Sequence, residues 1–290
     1  MSRREFLKTS MLVGTLVLTK PTFAFGARRA IVRVTLDDAL GYDSRVVAQR
    51  YLGYLADALG ESASILDDAQ AQFGKNGDAH GADLEIVISS FWNLGSGLSA
   101  LIADRNPTPG GSTIGVISEA PLSVCVSRFM PRTWEALVRS KDYGQIQLRC
   151  GLPAGDAVVE KLAPPLFAQA GLAAGTWVRF RGGYQILPAL VGAKLGVGIA
   201  PLNLFTLAGR PGGYGDVLKS HRRGDLAILA TAVSERLTSQ AEIPTLNEIF
   251  GQSGHEALLT TVIRYNDPGD ALLAKQVRAA TNRIVARLNQ

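Results

Sequence analysis

The feature that most constrains this chain is a regular exchange of two hydrophobic periods. Ala30–Leu36 reads AIVRVTL, a β-branched alternating run that predicts a strand. SRVVAQRYLGYLADALG then sets Val46, Val47, Leu52, Leu55 and Leu59 near one helical face and stops at Gly60, a good C-cap. The exchange recurs along the chain. Strands are expected at ASIL, LEIVISS (84–90), PLSVCVS, GQIQLRC, TWVRF, LGVGIA and DLAILATAV. Helices are expected at TWEALVR with Thr133 as cap, at the amphipathic stretch after GLPAGD, at ILPALVGA, at IPTLNEIF and at DALLAKQVRAATNRIVARL. Pro164–Pro165 is expected to interrupt the second of these. Alternating strands and helices predict α/β layers with parallel pairing.

In such sheets ligands sit on the loops that leave a strand and enter a helix. Four of these loops, LGYDS, SSFW, CGLPAGD and RFRGGY, combine small residues with hydrogen-bonding groups. Small residues let the backbone approach a ligand, and the following helix offers N–H groups and a positive dipole end. The pattern points to capture of an anion, a carboxylate or a phosphate. The candidate ligand residues are Gly41, Tyr42 and Ser44 in the first loop and Ser89 and Ser90 in the second. Gly155 and Asp156 follow in the third, and Arg181, Gly182, Gly183 and Tyr184 in the fourth. Asp156 also reads as an N-cap, and a carboxylate there repels an anion but suits an amine. Pro188 lacks an N–H, so the fourth helix is expected to begin within about three residues before it. The expected cradle is then the N–H groups of Gly183, Tyr184 and Gln185.

The N-terminus carries a separate message. SRREFLK precedes a short apolar stretch, Met11–Leu18, and then Lys20, Pro21 and small residues. This is the layout of a twin-arginine signal peptide over residues 1–26, with cleavage after Ala24 or Gly26. It implies the twin-arginine translocase as an export partner and a soluble periplasmic protein. The whole chain has 30 basic and 25 acidic residues, a formal charge of +5. Arg3, Arg4, Lys8, Lys20 and Glu5 account for much of it, leaving 26 against 24, or +2. That balance, with no basic run interleaved with aromatics, excludes a nucleic-acid footprint. Cys125 and Cys150 stand in expected strands of one region and are candidates for a disulfide after export. No Gly-x-Ser-x-Gly elbow, cofactor fingerprint or zinc spacing occurs; GLSALIA and GQSGH fall short of the first. No enzyme activity, cofactor or metal is therefore expected.

The ordered set of segments resembles the substrate-binding proteins of tripartite tricarboxylate transporters, also called Bug receptors. IVRVTLDDALGYDSRVVAQRYLGYLADALG is similar to that family's first strand, ligand loop and helix. PLSVCVSRFMPRTWEALV looks like its crossing strand and next helix, and GLPAGDAVVEKL like its second ligand loop. WVRFRGGYQILPALVGAKLGVGIAP resembles its Val-Pro-Tyr-Lys-Gly-Gly segment, with Arg181 in the Lys place. LAILATAVSERLTSQAEIPTLNEIF is similar to its return strand and Pro-Thr helix. The chain departs from the pattern at Arg45 and Gly196, where the family has Asp, and its C-terminal part is shorter. The resemblance implies a two-lobed periplasmic binding protein-like α/β fold of type II, with the ligand cleft between lobes. It implies residues 27–120 and 221–290 as one lobe and 121–220 as the other. It further implies a monomeric receptor for a small carboxylate that works with membrane transporter subunits. The same fold also suits a periplasmic sensor or accessory binding protein, and an exported enzyme is the remaining alternative.

Overall fold

A computed structural model describes residues 30–37, 40, 42–67, 82–102, 112–142, 148–172, 175–201, 217–238, 241–267 and 269–288. The twin-arginine segment lies outside the described residues. The strands are β1 (Ala30–Leu36), β2 (Ala63–Asp67), β3 (Leu84–Leu94), β4 (Thr113–Ser127), β5 (Arg149–Pro153), β6 (Thr176–Phe180), β7 (Val197–Pro201), β8 (Leu226–Thr231) and β9 (Ala257–Asp267). The helices are α1 (Tyr42–Leu59), α2 (Ser96–Ile102), α3 (Trp134–Asp142), α4 (Ala157–Gln169), α5 (Gly183–Val191), α6 (Val217–Arg223), α7 (Leu246–Phe250) and α8 (Ala271–Leu288).

The strands form one continuous array, β2-β1-β3-β9-β4-β7-β5-β6, with β8 paired to β4. Pairing is mixed rather than parallel. β1 runs parallel to β2 and β3, and β5 parallel to β6 and β7. β9 is antiparallel to both β3 and β4, and β7 and β8 are antiparallel to β4. The difference comes from β4, which runs against β7 and β8, and from β9, absent from the sequence reading. β9 inserts between β3 and β4 and supplies the antiparallel partner for each.

β4 is the hinge of the topology. From Thr113 to Pro121 it pairs with β9; from Leu122 to Ser127 it pairs with β7 on one side and β8 on the other. β8 comes from the stretch read as part of the first lobe, yet it lies along the second half of β4. β5, β6, β7 and β8 all run against β4. Their C-terminal ends, Pro153, Phe180, Pro201 and Thr231, therefore share the edge at which β4 enters this second group. β1 runs with β4, so its end at Leu36 points toward that same line from the other side.

Both faces of the second group are covered. Alternation along β4 and β8 sends Cys125, Leu226 and Ile228 to one side, where Ile186, Leu187 and Leu190 of α5 pack on them. Val124, Val126, Ala227 and Leu229 face the other side, with Leu162, Leu166 and Phe167 of α4. Phe167 meets Trp134 and Trp177 edge-on at 6.3 and 5.3 Å, which ties α4 to α3 and β6. This packing explains why α4 runs unbroken through Pro164–Pro165, against expectation. The prolines leave carbonyls without intrahelical donors, but Pro164 is exposed, and the buried stripe between the turns holds the helix.

The same alternation rules out the disulfide. Cys125 pairs with Gly198 and Cys150 with Val197, so β7 lies between them. Two strand spacings put their Cα atoms roughly 10 Å apart, beyond the ~7 Å a bridge allows. They also point to opposite faces, Cys125 beside α5 and Cys150 beside α4. Both are buried free thiols, and burial pushes each up to about 12.

Candidate functional site

The facing strand ends bring three of the four expected loops to one line. On the first side, Asp37 N–H donates to the Ile88 carbonyl at 2.9 Å, and Leu40 N–H closes a turn onto Asp37 at 3.0 Å. Arg45, in the first turn of α1, donates from Nε to the Leu40 carbonyl at 3.1 Å. A cation there opposes the helix dipole, so its place carries a local task. Sequence reasoning noted Arg45 only as a departure from the family. The misfit with the dipole was the signal that would have found it. Ser44 is buried at 3% exposure, beneath this loop rather than on it. Gly41 and the side chain of Tyr42 lie outside the described residues.

On the second side, β5 and β6 end together, and Ala154 N–H donates to the Phe180 carbonyl. Gly155 takes φ +83 with open space around it, a left-handed turn that suits glycine. Its N–H donates to Glu160 Oε1 at 3.1 Å. Asp156 caps α4 as expected, accepting Val159 N–H at 3.1 Å. The turn after β6 is built differently from the reading above. α5 begins at Gly183, five residues before Pro188, with Gly182 as N-cap. Pro188 is tolerated there because it is exposed, while Ile186, Leu187 and Leu190 bury the opposite face. Gln185 N–H donates to the Gly182 carbonyl at 3.1 Å, and its Oε1 accepts Arg181 N–H at 2.9 Å. Gln185 is thus committed to closing the helix start and leaves the cradle. Gly182 and Gly183 are buried, and Arg181 is exposed beside them. The side chain of Tyr184 is outside the described residues.

The SSFW segment is not a loop. β3 continues to Leu94 because β9 pairs with it throughout, up to Leu94 opposite Ala257. Ser89 is fully buried and accepts from Arg264 Nη2 at 2.9 Å. Ser90 Oγ pairs with Thr261 Oγ1 at 2.8 Å. These serines serve the sheet. The extension matters through Trp92 instead. Its Nε1–H donates to both carboxylate oxygens of Asp156, at 3.1 and 3.2 Å, joining the first strand group to the start of α4. Shared among Trp92 and the Val159 amide, the Asp156 charge is spread over N–H donors. Trp92→Phe keeps an aromatic ring and removes this bond together with the pyrrole half of the indole. We expect a loss of about 1–2 kcal/mol in urea unfolding, with wild-type near-UV packing signals otherwise retained. An unchanged midpoint would show that the bond contributes nothing.

Among the described residues, no group of three or more His, Cys, Asp or Glu side chains is arranged to hold a metal ion. No helix among them is long and apolar enough to cross a membrane. No family model matches the chain, and no curated protein matches it. Solved structures do. The periplasmic binding protein BugD is 13% identical with a TM-score of 0.57, over 89% of this chain and 83% of that one. MatC from Rhodopseudomonas palustris, with bound malate, is 18% identical with a TM-score of 0.56, over 90% and 85%. A second R. palustris protein, with adipate, is 16% identical with a TM-score of 0.53, over 90% and 83%. At these identities the likeness is one of fold: the chain has the two-lobed, type II α/β architecture of Bug- and TctC-type periplasmic binding proteins.

Proposed function

We propose that this protein is an exported periplasmic receptor that captures a small carboxylated anion for a tripartite tricarboxylate-type transporter. The observation that carries the reading is the start of α5. There a buried Gly-Gly turn delivers the helix N-terminus to the edge that faces the first loop, directly after the exposed Arg181 in the chain. Arg45 adds a second cation across the line, where an acid stands in the family pattern. Gly155 and Asp156 flank the turn, and the bonds from Trp92 and Val159 soften the one unfavourable charge. Ser89 and Ser90, whose hydroxyls are bonded to Arg264 and Thr261 within the sheet, and Ser44, set beneath its loop, drop out of the set. The change of partners along β4 between Pro121 and Leu122 supports a lobe boundary at that point, with β8 assigned to the second lobe. Structural neighbours that hold malate and adipate support the ligand class. The twin-arginine leader and the membrane subunits belong to the same reading.

Isothermal titration of the purified protein with mono-, di- and tricarboxylates tests it. At least one dicarboxylate or tricarboxylate is expected to bind with a Kd of roughly micromolar order. Binding of cationic ligands alone, or of none in the panel, would overturn the receptor reading.

A further inference from the structure

The edge of the second strand group opposite the candidate cleft has its own chemistry. β4 ends there at Ser127, beside the starts of β5, β7 and β8. Arg128 and Phe129 form the tip of the turn that follows, closed by Met130 N–H donating to the Ser127 carbonyl at 2.9 Å. Phe129 is 66% exposed, the most exposed large apolar side chain among the described residues, and Arg128 stacks on its ring at 4.6 Å. Around it stand Arg132, Arg149, Lys194, Arg222 and Arg223, all exposed. These residues are contiguous. Arg132 Nη2 donates to the Gly224 carbonyl at 3.1 Å, Gly196 N–H to Arg149, and Ser127 N–H to Gly196. Of the acids beside this edge, Asp225 is held by Arg223 at 2.9 Å, and Glu242 lies 3.9 Å from His221 Nε2, so the cations outnumber the acids. Burial holds the His221 imidazole below its ordinary value, so the arginines and lysine carry the charge.

We propose that this edge is a docking surface for an anionic phospholipid bilayer, with Phe129 entering the headgroup layer and the surrounding guanidinium groups binding lipid phosphates. A guanidinium fork matches phosphate geometry. A lone ring at a turn tip suits the membrane interface, where apolar and polar groups are stacked in depth. A protein partner would instead call for a clustered apolar anchor at the centre of the patch. The inference is independent of the ligand bound in the cleft. It places the cleft on the side of the second strand group away from the bilayer.

Sedimentation with vesicles tests it, using phosphatidylcholine alone or with roughly a third phosphatidylglycerol, a fraction chosen to give a negative surface. The wild-type chain is expected to bind the anionic vesicles, to ignore the neutral ones, and to be released by about 0.5 M salt. Arg128→Gln and Arg222→Gln should each weaken binding about fivefold, and together about 25-fold. Phe129→Ser should weaken it several-fold at every salt concentration below that release point. All these side chains are exposed, so the variants should fold. All share the same N-terminal segment, so differences report this edge alone. Equal binding by the double variant and wild type would overturn the proposal, as would equal binding to neutral vesicles. So would an absence of binding to anionic vesicles, including the case where the edge instead captures an acidic protein.

Discussion

Gly183→Val is expected to weaken carboxylate binding by roughly 10–100-fold, the value of one charge-assisted hydrogen bond. The position is buried, in the first turn of α5, directly after the N-cap Gly182. A branched side chain there stands between a ligand and the backbone that is to receive it. Gly182 itself is at φ −175, extended backbone that any residue adopts, so the pair is not needed for conformation at that residue. What small residues supply here is approach. Arg181→Ala should cost less, about two- to fivefold, because its exposed charge acts through solvent. Calorimetry on both variants, with circular dichroism to establish folding, checks the order. Gly183→Ala is the milder version should valine compromise the fold. A folded Gly183 variant that binds as tightly as wild type would place the cradle elsewhere, even if the wild-type protein is a carboxylate receptor.

The strand–helix exchange made most of the fold legible. β1, β2, β6, β7 and β8 and five of the helices stand where their periods place them, whereas β5 runs from Arg149 to Pro153, so that Gly151, Leu152 and Pro153, read as loop, are strand. β9 did not declare itself in the same way. ALLTTVIRYND is β-branched, but it is buried on both faces through most of its length and shows no alternation to separate strand from helix. Missing it meant missing the antiparallel core. It also cut β3 short at Ser90, so that Ser89 and Ser90 passed for loop residues. The structure around the candidate site was legible where local chemistry decides, as in the Asp156 cap, though α5 starts earlier than Pro188 implied, at Gly183. It was not legible where distant segments meet. Nothing near Trp92 in sequence announces Asp156, and the spacing of Cys125 and Cys150 says nothing of the strand between them.

One such meeting sets the second large effect. Gly254 lies in GQSGH, Gly95 stands two residues before GLSALIA, and the fold explains both glycines by contact. Gly95 N–H donates to the Glu256 carbonyl at 2.8 Å and Leu98 N–H to the Gly254 carbonyl at 3.1 Å, zipping the end of β3 to the start of β9. A Cβ at Gly95 would lie 2.4 Å from Gly254 O and 2.6 Å from its carbonyl carbon. Glu256, 2.2 Å from the same point through Oε2, can swing away. The Gly254 backbone cannot: it is held by the Leu98 bond and sits at φ +92, a left-handed conformation. Gly95→Ala must therefore push the two segments apart, and with them the stretch of β3 that aims Trp92 at Asp156. We expect a loss of about 3 kcal/mol and a fall in Tm of roughly 5–10 °C. Gly53→Ala is the matching control. It lies exposed in α1 with nothing near a new Cβ, and should stabilise by about 0.5–1 kcal/mol. Thermal unfolding of the two variants side by side separates close approach from helix propensity. A Gly95→Ala protein that melts with wild type would mean that the two backbones do not meet in solution.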